Sequence, residues 1–297
     1  MPFSNLKIAF AFLATLILFL GFAGVVSSDK PKALLAQSGF GKGLEQPAVQ
    51  PLDRQAPATS KFAVVIGIVY DNFELGDVHY ADRDANSVYD LLTTKYGFPK
   101  ENVVLLTNAN ANRQNILAAL DWLAHNPDID SGSDVVFFYS GHGLRSAPDV
   151  GLNLPGGQTA YALVPFDFMK YDFKKGQGLL WDSELKGYLK DIHPGRMWIN
   201  IDSCSSGGFN QPGITGPNRV VTMSSQGDEL SGEIPETQRG VMMQYMVEDG
   251  MSRGLSVEQA FAAASPRAAL GYSQNPQIAD DYPGNMDLGN SPQIPTN

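Results

Sequence analysis

Three apolar runs constrain this chain more than any other feature. They are Phe62-Ala63-Val64-Val65-Ile66-Gly67-Ile68-Val69, Val135-Val136-Phe137-Phe138-Tyr139 and the stretch from Met197 to Ile201. A strand with one wet face alternates apolar and polar residues. These runs barely alternate, so they read as central strands covered on both faces. Helical patterns lie between them. Residues 85–96 place Val88, Leu91, Leu92 and Tyr96 on one face and stop at Gly97, and residues 113–123 do the same with Ile116, Leu117, Leu120 and Leu123. Further strands are expected at 102–106, 220–224 and, briefly, 161–165, and further helices at 182–189, 240–249 and 257–264. Residues 272–297, rich in Pro, Asn, Asp and Gln, read as a loose end. Strands alternating with helices predict an α/β fold, with a mainly parallel central sheet and helices on both faces. Right-handed crossovers bring successive strand ends out on one edge.

That edge is where open α/β sheets bind ligands. The run 135–139 ends in Ser140-Gly141-His142-Gly143, and the run 197–201 ends in Asp202-Ser203-Cys204-Ser205-Ser206-Gly207-Gly208. Cys204 is the single cysteine of 297 residues, so the chain forms no internal disulfide and holds no Cys-x-x-Cys metal site. A core cysteine would sit among apolar neighbours, whereas small and polar residues flank this one. The pattern points to a thiol nucleophile with an imidazole base. A free thiol, with a pKa of about 8.5, is only slightly ionised at neutral pH. A histidine takes its proton and later hands it to a leaving amine. The oxyanion formed on the way needs fixed donors, for which the N–H groups of Gly143 and Cys204 are the candidates. Neighbouring placement of the 135–139 and 197–201 strands would bring His142 and Cys204 side by side. His79, His125 and His193 follow no apolar run and read as surface or structural residues.

At 43% hydrophobic the chain can bury a substantial core, and its net charge of −10 argues against non-specific nucleic-acid binding. Residues 8–26 are apolar without interruption, after Lys7. Residues 1–27 therefore read as a signal peptide or a membrane anchor, and the rest is expected to be exported. Residues 28–60, with Pro31, Pro47, Pro51 and Pro57, read as a linker, 61–289 as one domain and 290–297 as a disordered tail. A monomer acting on protein or peptide substrates is expected, touching a membrane only through a retained N-terminal segment.

Ser140-Gly141-His142-Gly143 and the stretch from Asp202 to Gly207 resemble the two catalytic signatures of the caspase superfamily, in its metacaspase and bacterial caspase-like (orthocaspase) branch. Tyr80-Ala81-Asp82-Arg83-Asp84-Ala85 stands where that branch has an Asn-Asp-Ala type sequence. Leu163-Val164-Pro165-Phe166-Asp167, Trp181-Asp182-Ser183-Glu184-Leu185 and Ser224-Ser225-Gln226-Gly227-Asp228-Glu229 follow in matching order. The resemblance covers roughly residues 61–285. It implies a three-layer caspase-like sandwich and a cysteine endopeptidase working through a Cys204–His142 dyad. In metacaspases two acidic residues line the first specificity pocket, and Asp202 and Asp84 match them. The resemblance thus implies cleavage after Arg or Lys, since paired carboxylates suit a cation. Asp84 is also the kind of acid that the first turn of a helix favours. Arg83 does not match the arginines with which caspases bind Asp. Many metacaspases need calcium held by aspartates. Asp182 matches one such position but Ser183 stands where a second Asp is common, so no cofactor is expected to be required and calcium stays open. Lys174 and Lys175, beside Gly176 and Gly178, offer a self-cleavage site between the two catalytic strands. Two alternatives stand beside this reading. One is a legumain-like peptidase specific for Asn, whose pocket should carry basic residues near Tyr80-Ala81. The other is a caspase-like interaction module without catalysis, which would usually have lost the His or the Cys.

Overall fold

The computed structural model describes residues 60–70, 76–146, 159–172 and 175–289. The elements run β1 (Lys61–Gly67), α1 (Ala81–Asp90), β2 (Val103–Thr107), α2 (Arg113–Ala124), β3 (Asp134–Ser140), β4 (Gly143–Ser146), β5 (Ala160–Leu163), β6 (Leu180–Trp181) and α3 (Asp182–Leu189). They continue with β7 (Arg196–Asp202), β8 (Arg219–Met223), β9 (Glu233–Ile234), β10 (Arg239–Gly240), α4 (Val257–Tyr272) and β11 (Gln277–Asp280). Six strands form the central sheet in the order β2-β1-β3-β7-β8-β11. All neighbours pair in parallel except β11, which runs antiparallel along β8. β4, β5 and β6 make a small separate sheet, and β9 pairs with β10.

Alternate residues of each central strand enter opposite cores, which is why no alternation was visible in the sequence. Val64, Ile66, Phe137, Ile199 and Ile201 pack with Ile116, Leu120 and Leu123 of α2 and with Leu185 and Leu189 of α3. Ala63, Val65, Val136, Phe138 and Trp198 pack on the other side, with Ala85 and Val88 of α1 and Val257, Phe261 and Ala264 of α4. The three layers match the expected architecture.

Register decides where the strand ends fall. Lys61, Asp134 and Arg196 pair across β1, β3 and β7, and so do Gly67, Ser140 and Asp202 at the far end. The first trio is locked by charge. Arg196 grips the fully buried Asp134 through two bonds of 2.7 Å, and Lys61 Nζ lies 3.3 Å from the same carboxylate. Breaking such a buried pair by removing one partner costs about 3–5 kcal/mol, so a slipped register is strongly disfavoured. Three seven-residue strands that start level also finish level. The His142 and Cys204 turns therefore leave adjacent strands at one height, and Gly141 N–H reaches Asp202 O (3.1 Å).

The sequence misjudged several elements. The first helix starts at Ala81 rather than 85, and after Asp90 it widens into a π turn over Leu91–Lys95. Its N-terminus is capped from far away, because the Glu233 carboxylate accepts from His79 N–H and Tyr80 N–H (2.8–3.1 Å). The segment expected as a helix over 240–249 begins as β10 and turns into a π stretch at Met243–Glu248. The last helix passes through Pro266 to Tyr272, its start secured by a reciprocal Ser256–Gln259 capping box. Residues 272–289 are no loose end. They supply β11 and bury Gln274, Met286 and Leu288. The β8 edge recruits them, and a half-exposed edge strand needs little apolar sequence. The N-terminal segment, the linker and residues 290–297 lie outside the described residues. Among the described residues no helix is long and apolar enough to cross a membrane.

Candidate active site

His142 and Cys204 border one cavity of about 240 Å³, together with Asp84, Ser140, Asp202 and Gly240. The two catalytic turns touch through backbone. A Cβ on Gly143 would stand 2.1 Å from Cys204 O and 2.5 Å from Ser203 Oγ, so only glycine lets them approach this closely. Gly187, exposed in α3, is the contrast, since a Cβ there meets nothing within 4 Å. Thermal unfolding should show Gly143→Ala lowering Tm and Gly187→Ala raising it slightly, because alanine stabilises a helix interior by about 0.5–1 kcal/mol over glycine.

His142 is held through both its ring and its backbone carbonyl. Its Nε2 lies 3.1 Å from the Gly76 carbonyl, which can only accept, so Nε2 carries the proton and the neutral ring keeps Nδ1 as its basic nitrogen. Tyr70 packs on the ring with centroids 4.5 Å apart. Tyr139 Oη donates to His142 O (2.8 Å), which also accepts from Val164 N–H (3.2 Å). Burial lowers the His142 pKa below its usual 6.5, against smaller opposing effects of the Gly76 carbonyl and Asp77. The resting ring is neutral at physiological pH.

The Val164–His142 bond also says something about Gly143. Gly143 pairs with Leu163 across β4 and β5, and a ladder bond at the adjacent positions makes theirs a non-hydrogen-bonded pair. The Gly143 N–H is therefore not spent on the ladder.

Cys204 is half-buried. Burial pushes its thiol above the usual value, the N–H of Ser231 opposes this by donating to Sγ (3.4 Å), and the Asp202 charge adds to the rise. Thiol and imidazole both rest neutral. Ser205, next in the chain, is forced into the left-handed region (φ 57°), a conformation costing about 1–3 kcal/mol for a non-glycine residue. Its N–H bonds to Glu229 O (2.7 Å).

Asp84 and Asp202 face each other beside this pair. A Cβ on Gly240 would lie 3.1 Å from Asp84 Oδ2 and 2.8 Å from Asp202 Oδ2. Asp84, only 1% exposed, accepts through Oδ2 from Gly240 N–H (3.1 Å) and Ser140 Oγ–H (3.3 Å), while its buried Oδ1 has no hydrogen-bond partner. Burial, then repulsion from Asp202, holds the Asp84 pKa well above the carboxylate range. Burial raises Asp202 to about 6, opposed by donors that include the Ser231 hydroxyl (2.9 Å). Among the described residues lining the cavity there is no lysine or arginine. Arg83 instead bonds Gln238 and lies over the Tyr80 ring.

Other expected residues lie elsewhere. His79, His125 and His193 are exposed. Lys175 is exposed and paired with Asp172 (2.9 Å), and Lys174 lies outside the described residues. The donors around Asp182 do not fit calcium. Its carboxylate is spent on Ser183 N–H (2.7 Å), Tyr161 N–H (3.3 Å) and Gln211 Nε2 (2.9 Å). Hard cations need several free oxygens, and no group of three His, Cys, Asp or Glu side chains that could hold a metal ion occurs among the described residues. Sequence reasoning missed Gly76, Ser231 and Gly240. All three act through backbone or through one small side chain, and no local pattern marks them.

Metacaspase-9 of Arabidopsis thaliana is 26% identical over 196 residues, covering 64% of this chain and 55% of that protein. Metacaspase-4 of the same plant is 32% identical over 156 residues (50% and 34%), and Metacaspase-1A of Aspergillus oryzae 29% over 195 residues (61% and 43%). The chain thus spans about half or less of the length of these relatives. A crystal structure of a Geobacter sulfurreducens protein superposes with a TM-score of 0.58 at 16% identity, covering 79% of this chain and all of that one, a likeness of fold alone. Residues 61–211, half of the chain, match the family model described as metacaspase, peptidase C14 domain, and the chain belongs to that family.

Proposed function

We propose that the protein is a cysteine endopeptidase that cleaves peptide bonds after Arg or Lys. The observation that carries the specificity is Asp84 Oδ1, a buried carboxylate oxygen without a partner, beside a second carboxylate and next to Cys204. A buried acceptor left open is costly unless a ligand completes it, and a guanidinium or ammonium supplies both charge and N–H groups. In this reading His142 Nδ1 takes the Sγ proton and the thiolate attacks the carbonyl carbon. The oxyanion meets the N–H groups of Gly143 and Cys204. The C–N bond then breaks, the imidazolium gives its proton to the leaving amine, and water activated by the same imidazole hydrolyses the thioester. None of the described residues that line the cavity is basic, which gives an Asn-specific pocket no support, and retention of both His142 and Cys204 speaks for catalysis over a bare interaction role. The spent carboxylate of Asp182 supports activity without calcium.

A set of fluorogenic peptides differing only at the residue before the cut tests this. Arg and Lys peptides should be hydrolysed and Asn and Asp peptides left. A preference for Asn or Asp would sink the assignment. For the Arg peptide, kcat/KM should rise with pH as Asp202 ionises near 6, because a protonated carboxyl no longer attracts a cation. A neutral residue at the same place should not show that rise.

The same specificity makes Lys174 and Lys175 sites of self-cleavage. Sequencing new N-termini after incubation should find cuts behind them, and Cys204→Ala should stay whole. Export belongs to this reading too, with residues 8–26 as its signal or anchor. N-terminal sequencing of protein recovered outside the cytoplasm would tell removal from retention.

A further inference from the structure

The stretch 226–232 has no helix or strand of its own, yet it makes three contacts with the catalytic turn. Ser231 N–H donates to Cys204 Sγ (3.4 Å), Ser231 Oγ–H donates to Asp202 Oδ1 (2.9 Å), and Glu229 O accepts from Ser205 N–H (2.7 Å). Val241 N–H donates to Gly232 O (3.0 Å) and the Ser224 hydroxyl lies 2.9 Å from Ser231 Oγ, and two consecutive residues from the far side of the sequence, Gln274 and Asn275, add to this hold. Ser273 ends α4 in the left-handed region (φ 52°) and turns the chain inward. Gln274, 2% exposed, then spends its whole amide on the stretch and its root. Nε2 donates to Ser224 O (2.7 Å) and to Ser231 Oγ (3.3 Å), and Oε1 accepts from Gly232 N–H (2.9 Å). Asn275 holds the other end, its N–H and Nδ2 both donating to the Glu229 carboxylate (2.9 and 2.6 Å).

The Ser231 hydroxyl has one proton. It goes to Asp202 Oδ1 (2.9 Å), while Gln274 Nε2–H (3.3 Å) and the Ser224 hydroxyl (2.9 Å) approach the same oxygen. The same grip on Gly232 N–H orients the preceding Ser231 peptide, whose N–H is the one polar hydrogen directed at the sulfur from this stretch.

We propose that Gln274, assisted by Asn275, is a positioning residue that seats Ser231 between the nucleophile and the specificity pocket, so that one residue supports both the Cys204 thiolate and the Asp202 carboxylate. Both clamp residues lie outside residues 61–211, the part matched by the family model. The inference rests on the peptidase reading of the cleft. Its test therefore includes a readout that needs no peptide.

Cys204 is the single cysteine, so iodoacetamide uptake reports on it alone. Its alkylation rate would be followed against pH in the full chain, in Gln274→Met and in Asn275→Ala, alongside kcat and KM for an Arg peptide and thermal unfolding. Gln274→Met should shift the alkylation midpoint to higher pH and lower kcat at least tenfold. Asn275→Ala removes only an exposed contact, should keep the fold, and should shift both in the same direction by less. Should Gln274→Met fail to fold, Asn275→Ala decides. Alkylation midpoints unchanged and kcat within twofold in the folded variants would overturn the proposal. Shifted midpoints in a protein that hydrolyses no peptide would uphold the clamp and remove the peptidase reading instead.

Discussion

Replacing Cys204 with alanine should abolish hydrolysis and leave the fold intact, and replacing His142 should do the same. This outcome follows from where the side chains stand. Both leave the sheet beyond the last residues of β3 and β7, so neither fills the core whose loss would unfold the domain. Both rest neutral, so each is useless without the other. The thiol lies above its usual pKa and needs a base, and the imidazole lies below its own and serves as one. Groups that act as one unit lose activity non-additively, so the double variant should be no slower than either single one. The expected fall in kcat is several orders of magnitude, with Tm within a few degrees of the parent. Retained activity in Cys204→Ala would end the assignment of the nucleophile.

The second large effect concerns Asp84 and Asp202, and it runs in opposite directions for activity and stability. Asp84→Asn and Asp202→Asn should each lower kcat/KM for Arg and Lys peptides by about 10²-fold or more, as expected where one partner of a desolvated charge pair is lost. The folded pKa of each carboxyl lies above its unfolded value near 3.8. The fold therefore favours the protonated forms. Their contribution to stability is full below the unfolded pKa and is lost as pH rises, through about 6 for Asp202. At pH 7.5 both groups strain the folded state. Asp84→Asn removes that strain without changing shape, so it should raise Tm, at about 2–4 °C per kcal/mol in a domain of this size. The gain should vanish in scans at pH 4. A fall in Tm at neutral pH, measured by calorimetry, would mean that Asp84 is a structural acid rather than a strained binding group.

Much of this was open to reading from the chain, for identifiable reasons. The central strands betrayed themselves because burial on both faces removes polar residues from Phe62–Val69 and Val135–Tyr139 alike. The cleft followed from the rule that parallel strands open on one edge, which needed only the residues just past Tyr139 and Ile201. What stayed hidden depends on long-range partners. The true start of α1 is set by Glu233, over 150 residues on. β11 reads as Gln-Ile-Ala-Asp, too short and too polar to announce a strand until β8 offers it an edge. Ser231 and Gln274 carry no signature, because a serine or glutamine becomes informative only once its partners are known. At Asp182 a glutamine from the turn after the cysteine meets the carboxylate, a contact that no local pattern announces.

The way the ends of the fold meet has a consequence for the order of its making. Lys61, the first residue of the first strand, donates to Leu288 O, and the last helix is tied to the same tail through Val257 N–H and Met286 O. On a ribosome, His142 emerges well before Cys204, and residues 272–289 emerge after both. Until they do, the β8 edge is open, the Lys61 ammonium lacks one of its carbonyls, and the stretch that carries Ser231 lacks its bonds to Gln274 and Asn275. A nascent or prematurely ended chain thus presents a histidine and a thiol in an unfinished cleft. For a peptidase of the proposed specificity, late completion is a safeguard written into chain order.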